Sequence, residues 1–191
     1  ISLAFPNSRR PFIIITDASK IAIGAVICQL DDEGQLRPIA YGSTPLKAGD
    51  KNLGISAKEG MALCWAVNRW RHLIYGTTCI CLTDHSALQS LTNPLKEFDT
   101  ERMARMALTL SEHDLVIAHR PGTSKELIIA DMLSRAKSAN DPAKLASLTE
   151  QAWGCIGRLC TDTRIHLSKE VMSENSQQRR IQHMVDGAEL K

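Results

Sequence analysis

Two segments end alike, Ile15-Thr16-Asp17 and Leu82-Thr83-Asp84, each an apolar run that stops on Thr-Asp. If the two runs are parallel neighbours in a sheet, both aspartates stand at its carboxyl edge, where ligands and catalytic groups collect in α/β folds. Taken singly, either aspartate reads as the ordinary polar residue that finishes a strand. Glu59 shifts that balance. It lies three, four and seven residues before Ala62, Leu63 and Ala66, on the apolar stripe of a helix. A carboxylate aimed at a core is costly unless it is paired or bound to a cation. Lys58, Arg69 or an edge position open to water would also relieve it. Asp131 is a fourth carboxylate, with Leu127 and Ile128 one turn before it; by pattern alone it reads as an exposed helix aspartate. Carboxylates gathered at one edge repel one another without cations, and an oxygen-rich site suits Mg2+ or Mn2+. Two such ions roughly 3.5–4 Å apart can activate a water and stabilise the leaving oxygen of a phosphodiester. Neither a Gly-rich phosphate loop nor a Gly-x-Ser-x-Gly elbow occurs. Metal-assisted phosphodiester hydrolysis is the most economical chemistry for these residues.

Those carboxylates need a sheet and helices to hold them. Phe12-Ile-Ile-Ile-Thr16 has the pattern of a central strand buried on both faces. Ile21 to Leu30 and Gln35 to Ser43 predict two more strands, joined through the turn chemistry of Asp31-Asp-Glu-Gly34. From Ile55 to about Leu73 the apolar residues fall at helical spacing, long enough for a crossover to a fourth strand at Cys79 to Thr83. A short helix at Ala87 to Leu91, a break at Asn93-Pro94 and a helix from Asp99 to Leu110 follow. Asp114 to His119 is a fifth strand, Arg120-Pro-Gly122 a turn, and Glu126 to Arg135 the last helix of the compact unit. Strands first, then helices alternating with strands, predict a mixed α/β layer structure on one sheet. We expect residues 11–136 to form the domain, residues 1–10 to be a connection from upstream, and residues 137–191 to be a linker and partly helical tail. Ser138-Ala-Asn-Asp-Pro142 has linker composition, and Ser168 to Val185 could form one amphipathic helix.

Composition narrows the partners only a little. Hydrophobic residues make up 43% of the 191, which supports a core. Aromatics at 4% argue against rows of base-stacking platforms, and a net charge of +2 leaves a nucleic-acid partner undecided. Of the six cysteines, four lie in apolar runs, where a thiol behaves as a small hydrophobe. Cys79 and Cys81 have strand spacing, and Cys155 and Cys160 lack a matching His/Cys pair, so a reducing compartment is expected rather than a disulfide or zinc framework. No run of apolar residues is long enough to span a bilayer as a helix.

An ordered set of short motifs then carries a resemblance. Thr16-Asp17-Ala18-Ser19, Gly24-Ala25-Val26, Lys58-Glu59, Thr83-Asp84-His85 and Ala130-Asp131-Met132-Leu133-Ser134-Arg135 resemble the ribonuclease H domain of gypsy-type LTR retrotransposon Pol polyproteins. Pro38-Ile-Ala-Tyr41, Arg71-His-Leu-Ile-Tyr-Gly76, Arg102 with Arg105, and Arg120-Pro-Gly122 fit the same pattern, which runs from about Phe12 to Arg135. The resemblance implies an RNase H-like fold, a five-stranded mixed sheet flanked by helices. It implies Asp17, Glu59, Asp84 and Asp131 as catalytic ligands of two Mg2+ ions, with Mn2+ as an alternative. It further implies endonucleolytic cleavage of the RNA strand of RNA–DNA hybrids, with 2′-hydroxyls distinguishing RNA from DNA. Arg102 and Arg105 are then candidates to track phosphates, although solvated helix charges fit them equally. His85 is expected to support Asp84, and His119 to be a strand-end histidine. A reverse transcriptase upstream and an integrase downstream are the implied partners, with no membrane. The implied location is the cytoplasm, in virus-like particles, with the nucleus as a second compartment.

The sequence departs from that pattern in four places. Leu127 stands where the family usually has Asn, Leu53 where it has Tyr, Met106 where it has Trp, and the turn after Gly122 is two residues longer. The presence of all four carboxylates favours an active enzyme, whereas the lost Asn and the altered final turn favour a second reading, a decayed or domesticated module that binds nucleic acid or assists polyprotein assembly without cutting. A transposase or integrase core of similar fold is a third. It is disfavoured because Glu59 precedes the middle aspartate and no late catalytic glutamate stands out.

Overall fold

β-branched and aliphatic side chains fill both sides of the first strand, β1 (Phe12–Ala18), whose residues Phe12 to Thr16 are all buried. A strand can bury both faces only at the centre of a sheet covered on each side, and that is where β1 sits in the computed structural model. Residues 3–93, 95–124 and 126–135 are described. The sheet has the order β3-β2-β1-β4-β5, with β2 spanning Ala22–Leu30, β3 Leu36–Pro45, β4 Cys79–Thr83 and β5 Leu115–His119. β1, β2 and β3 form an antiparallel meander, whereas β4 runs parallel to β1, and β5 parallel to β4. The expected five-stranded mixed sheet is therefore present.

Alternate residues of the central strands feed two separate layers. Phe12, Ile14, Cys79, Cys81, Leu115 and Ile117 pack on one face beneath α1 (Ile55–Arg69) and α3 (Glu101–Ser111). Ile13, Ile15, Ile80, Leu82, Val116 and Ala118 pack on the other, beneath α4 (Ile128–Arg135). Each fully buried Ile or Leu side chain contributes about 1.5–3 kcal/mol of transfer free energy, so the period-two pattern holds helices on both faces. The four cysteines among the described residues are free thiols. Burial pushes the Cys64 thiol up to about 12 and raises Cys79 as well, in keeping with neutral core residues.

Local differences from expectation are small and have physical causes. The long helix breaks at Trp70, which leaves helical geometry (φ −108°, ψ 18°) and separates α1 from the short α2 (Arg71–Ile74). Trp70 is buried there and meets Trp65 edge-on, ring centroids 6.4 Å apart. The short helix after β4 is a 3-10 helix, Ser86–Thr92. α4 starts at Ile128 rather than Glu126: Leu127 closes a turn through its N–H to the Ser124 carbonyl, and its own carbonyl accepts the first helical bond, from Asp131 N–H. Between β2 and β3, Asp31 Oδ1 accepts from the N–H groups of Glu33 and Gln35, and Gly34 takes a positive φ of 74° that suits glycine. The expected linker at Ser138-Ala-Asn-Asp-Pro142, the helix at Ser168 to Val185, and Cys155 and Cys160 lie outside the described residues.

Candidate metal centre

Parallel pairing of β1 with β4 matches Ile15 to Leu82. Carried two residues further, that register sets Asp17 beside Asp84 just where the strands end. Glu59 reaches the same place from α1. Carboxylate oxygens of Asp17, Glu59 and Asp84 lie within 4.8 Å of one another. The three come from two neighbouring strands and the helix laid over them, as the spacing predicted. Exposure is graded across the group. Glu59 is 3% exposed and Asp17 half-buried, while Asp84 is open to solvent, so the site has a closed inner end and a mouth.

Glu59 is the most constrained of the three. Its Oε1 accepts from the Ala18 N–H at 3.0 Å, and its Oε2 is buried with no hydrogen-bond partner. Among the described residues, neither Lys58 nor Arg69 forms an ion pair with it; Arg69 lies over the Trp65 ring instead. Burial, then the charge of Asp17, push the Glu59 carboxyl up to about 8; the Ala18 amide pulls the other way, and the charge of Asp84 adds a smaller push. Asp17 is also raised, by burial first and by the charges of Asp131 and Asp84, while a hydrogen bond from Ser134 and the charge of Arg135 pull the other way. A buried carboxylate oxygen without a partner, facing two more carboxylates, is the donor set of a hard divalent cation. The residues fit such an ion.

Asp131 is placed differently. It lies on α4 and is not a member of the three-carboxylate group. Its Oδ1 is paired with Arg135 one turn on, at 2.5 Å, although its charge still reaches Asp17. The helix that carries it is pressed hard onto the sheet. A Cβ added at Gly24 would lie 2.2 Å from the Ala130 carbonyl oxygen and 2.5 Å from Ser134 N. The end of α4 is tied from two sides: Ser19 Oγ donates to the Ser134 carbonyl at 2.6 Å, and Ser43 Oγ to that of Leu133 at 3.0 Å.

His85, expected to support Asp84, follows that residue at the end of β4. Its Nε2 lies 2.7 Å from Ser56 Oγ, and its N–H donates to Thr83 Oγ1 at 3.2 Å. Ser56 is one turn before Glu59, so this contact joins the end of β4 to the start of the helix carrying the buried carboxylate. His119 ends β5 opposite Thr83, a strand-end histidine as expected. Arg102 and Arg105 lie on α3, each with a carboxylate partner: Arg102 with Asp50 at 3.3 Å and Arg105 with Glu101. Sequence reasoning assigned no role to Ser56, Ser134 or Gly24. A partial signal existed, since Ser56 and Ser134 stand three residues from Glu59 and Asp131, on the same helix faces.

A five-stranded sheet in this order, with an acidic group where β1 and β4 end, is the architecture of the ribonuclease H fold. The N-terminal RNase H domain of rv2228c from Mycobacterium tuberculosis superposes with a TM-score of 0.50 at 14% identity, over 75% of this chain and 99% of that one. A foamy viral protease-reverse transcriptase, solved in complex with an RNA/DNA hybrid, gives 0.50 at 17% identity over 73% of this chain and 18% of that one. The family model of the RNase H-like domain found in reverse transcriptase matches residues 7–113, and the chain belongs to that family. The matched segment contains Asp17, Glu59 and Asp84. Among curated proteins, the retrovirus-related Pol polyprotein from transposon opus of Drosophila melanogaster is 38% identical over 135 residues, 70% of this chain and 13% of its own length. The chain thus spans a small part of that polyprotein.

Proposed function

We propose that this chain is the ribonuclease H domain of a retroelement Pol polyprotein and hydrolyses the RNA strand of RNA–DNA hybrids during reverse transcription. One observation carries the reading: three carboxylates from β1, α1 and β4 converge within 4.8 Å around a buried oxygen that has no partner. Family membership and the hybrid bound to the foamy viral relative support the choice of substrate. Two Mg2+ ions, or Mn2+, are the cofactors, and when bound they supply the positive charge that activates water and stabilises the leaving oxygen.

The chain's own residues have distinct tasks. Glu59 anchors the inner end of the site through the Ala18 amide and offers its free oxygen inward. Asp84, the exposed member, faces incoming substrate at the mouth. Asp17 joins the two. Asp131 is the fourth ligand in this reading; Arg135 pairs with its Oδ1, and the other carboxylate oxygen is the one that would serve. Arg102 and Arg105 would exchange Asp50 and Glu101 for backbone phosphates. Residues 11–136 form the catalytic unit, between a reverse transcriptase joined through residues 1–10 and an integrase reached through 137–191. Work in the cytoplasm within virus-like particles, or in the nucleus, accords with that role. No helix among the described residues is long and apolar enough to cross a membrane.

A second reading has its own support. Asp131 stands apart from the other carboxylates, and a buried Leu127 occupies the position where the family usually has a polar Asn. A module that binds hybrid without cutting accords with both. Incubating the chain with a labelled hybrid and Mg2+ or Mn2+ separates the readings. We expect RNA-strand cleavage that Asp84→Asn abolishes; binding without cleavage, unchanged by that substitution, would establish the second.

A further inference from the structure

Ser134 is completely buried, and nothing in helix formation requires a hydroxyl there. Alanine is the better helix former, and a buried serine normally returns its hydrogen to a carbonyl of its own helix. That carbonyl is present: Asp131 O lies 2.8 Å from Ser134 Oγ. A second acceptor lies closer, Asp17 Oδ2 at 2.5 Å, contributed by a strand far away in sequence. A hydroxyl has one hydrogen, and a carboxylate is a stronger acceptor than an amide carbonyl. The hydrogen therefore belongs to Asp17.

This donor is fixed in space rather than free to follow its acceptor. Ser19 and Ser43 hold the carbonyls of Ser134 and Leu133, and Gly24 lets the backbone of Ser134 approach β2 closer than any side chain would allow. With one oxygen held by an immobile donor, the plane of the Asp17 carboxylate is set. The same contact fixes how near the Asp131-bearing helix stands to the three-carboxylate group.

We propose that Ser134 is a positioning residue of the metal site: its hydroxyl orients the Asp17 carboxylate and docks α4, with Asp131, against the carboxylates of β1, α1 and β4. This rests on the reading of those carboxylates as ligands of divalent cations. Ser134 acts through Asp17 and touches neither substrate nor ion.

The test titrates the full chain with Mn2+, following free Mn2+ by electron paramagnetic resonance, and records a thermal melt of each variant. Ser134→Ala deletes the donor, and Ser134→Cys keeps the volume with a much weaker one. Ser43→Ala loosens the same end of α4 without touching Asp17. Removing a partner that orients a ligand typically weakens metal affinity 10–100-fold, so both Ser134 variants should bind Mn2+ at least about tenfold more weakly, while Ser43→Ala, which keeps the Ser134–Asp17 bond and the Ser19 tie on α4, should lose clearly less. If Ser134→Ala does not fold, the Cys variant decides. Wild-type affinity in the folded Ser134 variants would overturn the proposal, as would an equal loss in Ser43→Ala, which would mark a merely structural contact. A wild-type chain that binds no Mn2+ would instead overturn the metal reading, and this proposal with it.

Discussion

At the scale of single residues, Glu59 sets the character of the site. A carboxyl pushed up to about 8, against 4.5 in an unfolded chain, binds its proton more tightly when folded. Its effect on stability without metal follows from that sign. Below pH 4.5 both states are protonated and nothing is lost. Between 4.5 and 8 the unfolded chain releases a proton that the folded one retains, and stability falls with rising pH by something on the order of a few kcal/mol. Asp17, also raised, adds in the same direction. Urea unfolding in chelator should therefore show stability declining from pH 5 to 8. Glu59→Gln keeps an acceptor for the Ala18 amide and removes the charge, so it should flatten that decline and raise stability at pH 8. A profile equally steep in the variant would refute the assignment. Glu59 was legible in the sequence because its position on an apolar stripe conflicts with its chemistry. Its unpartnered oxygen was not, because which atoms lie opposite a side chain depends on the packed neighbour.

At the scale of elements, α4 is the piece whose placement matters most to the site and was least visible. Its existence followed from Leu127, Ile128 and the residues after them. Its distance from the sheet is set by Gly24, where a methyl group would collide with the backbone of Ala130 and Ser134. Backbone cannot step aside as a flexible side chain can. Gly24→Ala should accordingly push α4 outward and destabilise the fold by about 1–3 kcal/mol, the usual cost of overpacking. It should also weaken Mn2+ binding. Denaturant midpoints and the Mn2+ titration read both effects, and a variant as stable as wild type would show that α4 sits more loosely than described. Asp131 belongs to this scale as well. Its i,i+4 spacing from Arg135 was a local signal for the observed ion pair, whereas its separation from the other three carboxylates arises from helix docking.

For the whole molecule, the near balance of charge left a nucleic-acid partner open, and the fold narrows the question to particular surfaces. α3 packs beside α1 and carries Arg102 and Arg105, both already engaged with carboxylates. If they contact hybrid phosphates, replacing both with alanine should reduce the slope of log affinity against log salt by about one to two, close to 0.9 per lost contact. An unchanged slope would leave them as helix surface charges, the other reading of the same residues. Binding measured across a salt series decides between them.

The element order, the two-sided strands and the pair of Thr-Asp strand ends were legible along the chain, since these follow from local periodicity and turn chemistry within short windows. Glu59 was marked as well, because a charged group among apolar neighbours is a conflict that a single helix exposes. Only packing brings three carboxylates into one small volume and leaves Asp131 outside it, and only packing sets Ser134 against Asp17 and His85 against Ser56. Those relations join atoms from segments tens of residues apart, and their distances are set by parallel register, by a missing side chain at Gly24 and by the fit of helices on the sheet, none of which leaves a periodic trace along the chain.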